Sequence, residues 1–134
     1  EHLELNSKLD KISKNSSFKN EDYKLLSIDE ALEFCQLVNR KNVYISDLSA
    51  GQQRRLQLAS AFMRSVDMVL IDEPHASLDS ASKDLFDELF ASQFLSGRSL
   101  LIATHDPHRL ENIATDFLEI ENGVVKHRLN ERGE

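Results

Sequence analysis

The sequence has one cysteine, no long apolar run and fewer basic than acidic residues, and each of these shortages excludes a class of protein. It has a single cysteine, Cys35, among 134 residues, so no disulfide can form within the chain, and a reducing compartment fits. It has no apolar run of membrane-spanning length and no signal-peptide pattern. Its net charge is −7 with scattered acidic residues, which argues against a broad basic face for nucleic acid or anionic membrane. The length fits one globular domain.

The amino-terminal part of the chain contains one helix signal. The first 23 residues are polar and rich in Lys, Asn and Ser, so we interpret them as a solvated segment. Ser27 and Glu30 have the spacing of a capping box and predict the start of an amphipathic helix. Cys35 lies among the apolar residues of that helix, which indicates a small core residue rather than a reactive thiol.

A second helix signal begins at Ser49. Ser49 and Gln52 again have capping-box spacing, and an apolar helical stripe follows. Ala50 and Gly51 have little or no side chain, so their backbone N–H groups would be open to an anion such as phosphate. A plain, well-capped helix is the alternative interpretation.

A nearly uniform apolar run over residues 66–71 ends abruptly in two carboxylates and a proline. Such a run predicts a strand buried on both faces of a parallel sheet. Pro74 lacks an N–H and ends the strand. Asp72 and Glu73 therefore fall at its carboxyl end, where ligands bind in open α/β sheets. The alternative is that both carboxylates only cap the strand end.

The next segment predicts a βαβ unit. Residues 78–94 form a broad apolar helical stripe, Gly97 suits a helix end, and residues 99–103 form another apolar strand. The two strands should be parallel with a right-handed crossover. His105 therefore leaves the sheet at the edge where Asp72 and the following glutamate leave it. A hydrogen-bonded loop histidine is the competing interpretation.

The carboxyl-terminal part predicts a short helix over residues 107–114 and then a hairpin. Residues 117–120 form a strand, and Asn122-Gly123 is a strong two-residue hairpin signal. Residues 124–125 should return antiparallel.

We assign no functional site to four further polar side chains. Arg54 and Arg55 can contact phosphate or a neighbouring protein, but solvent exposure is the simpler interpretation. His105 and His108 have a spacing seen in metal sites, without a second cluster to complete one. We interpret His75 as a local variant rather than a ligand.

Four short motifs together carry a family resemblance. LSAGQ at residues 48–52 resembles the signature motif of ATP-binding cassette (ABC) ATPases, and MVLIDE at 68–73 resembles their Walker B strand. SLD at 77–79 resembles their D-loop, and the strand end at His105 resembles their H-loop. The order and spacing of the motifs match the family over residues 45–123. The variant LSAGQQRR with EPHASLD is most similar to ATPase subunits of haem-exporter or cytochrome c maturation systems.

The resemblance implies an α/β fold that is a partial P-loop NTPase (ABC ATPase) domain. It has a mainly parallel sheet, flanking helices and a carboxyl-terminal β-hairpin. Residues 1–51 would be a remnant of the helical subdomain that ends in the signature motif, since Glu1-His2-Leu3 is similar to a sequence found early in that subdomain. Residues 52–134 would be the carboxyl-terminal part of the ATPase core.

The resemblance also implies a role for each motif residue. Asp72 would hold Mg²⁺ through water, and Glu73 would act as general base on the attacking water. His105 would contact the γ-phosphate and stabilise developing charge. Asp79 would make contacts across a dimer interface. The γ-phosphate of an ATP held by the opposing subunit would be capped by the signature residues Ser49, Ala50, Gly51 and Gln52.

A P-loop is missing from the sequence. Such a loop needs glycines followed by a Lys-Ser or Lys-Thr pair, and none of the four glycines precedes a lysine. The chain also begins with Glu1 rather than methionine, so we expect the natural start to lie elsewhere. We therefore expect the isolated polypeptide to bind ATP weakly and not to hydrolyse it.

The implied function is that of an ATP-hydrolysing subunit that powers a membrane transporter, with ATP and Mg²⁺ as cofactors. The implied partners are a second ATPase subunit, in a homo- or heterodimer, and integral membrane permease subunits, with no direct nucleic acid. The protein would be peripheral on the cytoplasmic side of the membrane, or its matrix-side equivalent. Two alternatives remain: a soluble ABC-family ATPase acting on nucleic acid or ribosomes, and a non-catalytic truncated module. Substrate and direction of transport stay open.

Overall fold

Three helices and four strands make up the part of the chain that can be described. The structure is a computed structural model that describes residues 25–130. The helices are α1 (Ile28–Phe34), α2 (Ala50–Ala61) and α3 (Ser80–Leu95). The strands are β1 (Met68–Asp72), β2 (Ser99–Ala103), β3 (Asp116–Glu121) and β4 (Val124–Leu129). Short 3-10 turns lie at Val38–Arg40, Ile45–Asp47 and Pro107–Leu110.

Both predicted capping boxes are present. Before α1, Ser27 Oγ accepts the Glu30 N–H at 3.2 Å and a Glu30 carboxylate oxygen accepts the Ser27 N–H at 2.8 Å. Before α2, Ser49 and Gln52 exchange the same pair of bonds at 3.3 and 2.9 Å. Each box satisfies two backbone donors that a helix start leaves without intrahelical acceptors. The two helix starts therefore follow from local side-chain chemistry.

β1 and β2 form the predicted parallel pair. The register runs from Met68 opposite Ser99 to Asp72 opposite Ala103, with α3 as the crossover. Gly97 follows the last residues of α3 with a φ of 91°, a conformation that glycine adopts readily. The carboxyl ends of both strands therefore lie at one edge of the sheet.

The prediction that β1 is buried on both faces is wrong. Val69 and Ile71 are buried, but Leu70 is 69% exposed, and Leu101 beside it on β2 is 54% exposed. Side chains of successive strand residues point to opposite faces, so one face packs on the helices and the other is open. No element among residues 25–130 covers that second face, and this is why an apolar strand ends up half exposed.

One hydrophobic core joins the helices to the covered face of the sheet. Phe62 and Phe90 pack with ring centroids 5.9 Å apart, and Phe34 meets Phe86 edge-on at 5.5 Å. Such aromatic pairs contribute about 0.5–1.5 kcal/mol beyond the burial of their area. Cys35 belongs to the same cluster, and burial raises the pKa of its thiol to about 12. The interpretation of Cys35 as a core residue is confirmed.

The hairpin is confirmed, whereas the preceding helix is shorter than predicted. β3 and β4 pair antiparallel, and Asn122 and Gly123 between them have φ of 50° and 77°. Positive φ at both central residues is typical of the type I′ turn that Asn-Gly favours. The segment predicted as a helix over 107–114 forms only the 3-10 turn Pro107–Leu110. Leu118 and Ile120 on the hairpin are exposed.

The predictions about the amino-terminal part of the chain stay predictions, and the segment interpreted as solvated, residues 1–23, lies outside the described residues. The division at residue 51 stays a prediction, and Glu1-His2-Leu3 lies outside the described residues. No helix within residues 25–130 is long and apolar enough to cross a membrane.

Candidate functional site

The carboxyl ends of β1 and β2 bring an acid and an imidazole together. The Glu73 N–H donates to the Ala103 carbonyl at 2.9 Å, which extends the strand pairing by one residue. His105 Nε2 lies 3.4 Å from Glu73 Oε1. Asp72 is the last residue of β1 and lies beside Ala103 in the register. The parallel strands therefore place these three side chains at one edge, as the βαβ pattern predicts.

This edge is open to a ligand. The side chain of His105 is 97% exposed and that of Glu73 is 35% exposed. Asp72 is also exposed. A carboxylate and an imidazole at hydrogen-bonding range can accept and donate protons to a bound reactant, and neither is sequestered in the core.

Glu73 has an unusual backbone. Its φ is 45°, in the left-handed region that costs a residue with a side chain about 1–3 kcal/mol. The Glu73 carbonyl accepts from the Ala76 N–H at 3.1 Å, which closes a tight turn after the strand. Ser77 in the same loop has a φ of 62°. Strain of this kind concentrates where the surrounding structure fixes a functional side chain.

Arg54 from α2 supports that turn. Its Nη2 donates to the Asp72 carbonyl at 2.8 Å and to the Glu73 carbonyl at 2.5 Å, and its Nη1 donates to Gln57 Oε1 at 2.9 Å. Arg55 donates to the Cys35 carbonyl and to Ser82 Oγ, both at 3.2 Å. The interpretation of this arginine pair as solvated is therefore wrong. No sequence signal identifies the acceptors, because they lie in distant segments.

The signature residues are used in capping their own helix. Ser49 and Gln52 bond each other's backbone, and Gln52 Oε1 also accepts from Arg40 Nη1 at 3.4 Å. Ala50 and Gly51 follow in the first helical turn, where N–H groups have no intrahelical acceptor. These two amides lie outside the intrahelical hydrogen-bond ladder and can donate to an anion.

The loop after β1 packs against the start of α2. A Cβ built on Gly51 would lie 3.6 Å from the Ser77 carbonyl oxygen, an ordinary van der Waals contact. Between the two segments lies a pocket of about 650 Å³. Its lining residues are Ile45, Ala50, Gln53, Arg54, Leu56, Gln57, Ser60, Asp72, Glu73, Ala76 and Ser77.

Asp79 caps α3. Its Oδ1 accepts the Ser82 N–H at 2.9 Å, its Oδ2 accepts from Ser82 Oγ at 3.1 Å, and Arg55 Nη1 lies 3.6 Å away. The hydrogen bond from the Ser82 backbone is the main cause that holds the pKa of the Asp79 carboxyl below its usual value. This aspartate therefore has a structural task within its own chain.

A buried histidine links the loop after Glu73 to the segment after His105. His75 Nε2 lies 2.6 Å from Asp87 Oδ1, and Arg109 donates to Asp87 Oδ2 through Nη2 at 2.9 Å. The sequence analysis missed this network, since residues 12 and 22 positions apart meet here. No group of three His, Cys, Asp or Glu side chains within residues 25–130 could hold a metal ion.

Comparisons with known proteins give the family of the chain and its relatives. Residues 2–111 match the family described as "AAA domain, putative AbiEii toxin, Type IV TA system". The chain is 36% identical to the Nod factor export ATP-binding protein I of Cupriavidus pinatubonensis over 92 residues, which are 69% of this chain and 28% of that protein. The chain thus spans about three tenths of the length of the curated relatives that it matches.

Two solved structures share the fold. The ATP-binding subunit of an ABC transporter matches with a TM-score of 0.82 and 22% identity, over 95% of this chain and 53% of that one. A chain from the complex of archaeal ribosomal stalk protein aP1 and ribosome recycling factor aABCE1 matches with a TM-score of 0.73 and 19% identity, over 99% of this chain and 25% of that one. The chain therefore belongs to the AAA-domain family, is similar to ABC-type ATP-binding proteins and has the P-loop NTPase fold.

Proposed function

We propose that this chain carries the hydrolytic side of an ABC-type ATPase that powers a membrane transporter. The observation that carries the proposal is the 3.4 Å approach of His105 Nε2 to Glu73 Oε1 at the carboxyl ends of two parallel strands. The AAA-domain family match supports ATP hydrolysis as the reaction at this edge. ATP is the nucleotide that the ATP-binding relatives imply.

Glu73 is proposed as the general base, which orients the attacking water and accepts its proton. His105 is proposed to hydrogen-bond the γ-phosphate and to stabilise the charge that develops there. Their mutual distance supports this pair of roles, because a single water-sized reactant can contact both groups. The exposure of the imidazole supports access of a phosphate to it.

Asp72 is proposed as the Mg²⁺ ligand, acting through water. Mg²⁺ keeps several waters and is held through one or two carboxylates plus substrate phosphates. One exposed carboxylate at a strand end fits such a shell, although no three-ligand cluster exists within residues 25–130. Bound there, Mg²⁺ would neutralise phosphate charge.

The signature residues are proposed to act in trans. Ser49, Ala50, Gly51 and Gln52 would cap the γ-phosphate of an ATP held by a second ATPase subunit. The unpartnered first-turn amides of α2 support this role. Asp79 is proposed to make contacts across the same dimer interface, and its cap of α3 fixes the start of that helix.

The cellular role is proposed from the relatives. A permease in the membrane would be the second partner, and the protein would be peripheral on the cytoplasmic side or its matrix-side equivalent.

Haem export or cytochrome c maturation is a finer proposal, supported by the variant LSAGQQRR with EPHASLD. The curated relatives are instead Nod factor export ATP-binding proteins. Co-purification of the chain with an integral membrane permease would support the transporter role, and stable co-purification with ribosomes would favour the soluble alternative.

Hydrolysis is proposed to need a P-loop that residues 1–134 do not contain. We use the term completed ATPase for the chain together with the polypeptide segment that supplies its P-loop. The test is ATP turnover by the 134-residue chain alone, measured as phosphate release with MgATP. The expected result is no turnover above background. Robust turnover by the chain alone would overturn this requirement.

A further inference from the structure

We propose that Arg54 is a positioning residue for the general base, and this inference rests on the proposed function of Glu73. The Arg54 guanidinium holds the backbone of Asp72 and Glu73 so that the glutamate side chain points to the edge shared with His105. Arg54 lies in α2, five residues after the cap residue Ser49. One side chain of the signature helix therefore sets the position of the base within the same chain.

The contacts of Arg54 are specific to its planar, multi-donor head. Nη2 reaches two consecutive carbonyl oxygens, at 2.8 Å to Asp72 and 2.5 Å to Glu73, while Nη1 is held by Gln57 Oε1 at 2.9 Å. The side chain is half-buried, and its Nε is buried without a hydrogen-bond partner. A guanidinium makes such contacts from a rigid fork, whereas an ammonium presents a point charge on a flexible stem.

The two carbonyls converge because the chain turns sharply at Glu73. In an extended strand the pleat alternates the direction of successive peptide groups, so one donor would not reach both carbonyls. The left-handed φ of 45° at Glu73 brings them together. Arg54 Nη2 therefore has both carbonyl acceptors in the strained conformation and would lose one of them if the strand continued straight. The arginine offsets part of the strain at the residue that needs accurate placement.

Accurate placement matters for catalysis. A displacement of about 1 Å in a reacting group can lower a rate about a hundredfold. The bond from the Ala76 N–H to the Glu73 carbonyl remains without the arginine, so the turn would loosen rather than unfold. Removing the guanidinium should therefore reduce turnover without a matching loss of ATP binding.

The test compares Arg54→Gln and Arg54→Lys with Arg64→Gln in the completed ATPase. Arg64 is exposed, so Arg64→Gln is a matched control for loss of an arginine. We expect Arg54→Gln to lower kcat about 10- to 100-fold, with KM for ATP within about twofold. The urea midpoint should fall, but the variant should remain folded under the assay conditions. Arg54→Lys should rescue only part of kcat, because an ammonium lacks the fork that holds Gln57 and both carbonyls together. Equal kcat for Arg54→Gln and Arg64→Gln, or a fall in kcat that the fraction of unfolded Arg54→Gln protein accounts for, would overturn the proposal.

A second measurement separates this proposal from the proposed function. Amide hydrogen exchange at Glu73 and Ala76 is followed in the 134-residue chain, without nucleotide. Arg54→Gln should speed exchange at both amides at least about tenfold, and Arg64→Gln should not. If the completed ATPase shows no hydrolysis that depends on Glu73, the proposed function fails. Unchanged exchange at both amides overturns the positioning role by itself.

Discussion

Glu73 and Asp79 show how two carboxylates six residues apart take different tasks. Asp79 accepts two hydrogen bonds from Ser82, and its charge caps a helix. Glu73 lies on a strained turn with its carboxylate toward an exposed imidazole. A carboxylate whose charged form accepts hydrogen bonds from its own chain has a structural role. A partly solvent-exposed carboxylate can exchange protons with a reactant.

The Asp79 cap should make the stability of the chain depend on pH. The folded-state pKa of Asp79 lies below its unfolded value of 3.8, so its contribution to the free energy of unfolding is present above that value and is lost as the pH falls through the folded pKa. Asn caps helices well but carries no charge, so Asp79→Asn is the control. We expect the stability difference between wild type and Asp79→Asn to shrink as the pH falls below about 3.8 in urea unfolding. A stability difference that does not change with pH would contradict the lowered pKa of Asp79.

At the scale of elements, the features that could be predicted from the sequence are those formed between residues close together in the chain. The capping residues Ser27 and Ser49, and the Asn122-Gly123 turn, bond or bend within a few residues, so their chemistry is local. The clamp from Arg54 and the network around His75 could not be predicted. Each joins segments far apart in sequence, and the first depends on a backbone turn that no local pattern encodes.

The two capping boxes offer a matched pair of substitutions. Ser27→Ala and Ser49→Ala each remove a side-chain acceptor from the N–H of the third helical residue. Both should lower the free energy of unfolding by about 0.5–2 kcal/mol in urea titrations. Only Ser49→Ala should also reduce ATP turnover by the completed ATPase, because only that residue is proposed to meet a phosphate. An equal effect of both variants on turnover would reduce the role of Ser49 to capping.

At the scale of the whole molecule, one face of the β1–β2 sheet is open. Sequence patterns predict that a strand is apolar but not what covers it, so the exposure of Leu70 and Leu101 could not be foreseen. Within residues 25–130, β2 has no strand on its second edge and the hairpin forms a separate sheet. A face and edges of this kind favour association with other protein surfaces.

The open face should make the isolated chain associate with itself. Leu70→Gln combined with Leu101→Gln should shift sedimentation toward monomer, since it removes apolar surface from the middle of the face. Leu95→Gln is the matched control, because Leu95 is 81% exposed and lies at the end of α3 rather than on either strand. If the double variant and the control sediment alike, the face does not drive association.

The central claim is that Glu73 is the base of ATP hydrolysis, set beside His105 by two parallel strands. Its most direct test is phosphate release by the completed ATPase with wild-type Glu73 and with Glu73→Gln, with ATP affinity measured in parallel. Glutamine keeps the size of the side chain but cannot accept the proton, so turnover should fall about 10²–10⁴-fold while ATP affinity stays within about threefold. Turnover within threefold of wild type for Glu73→Gln would contradict the account.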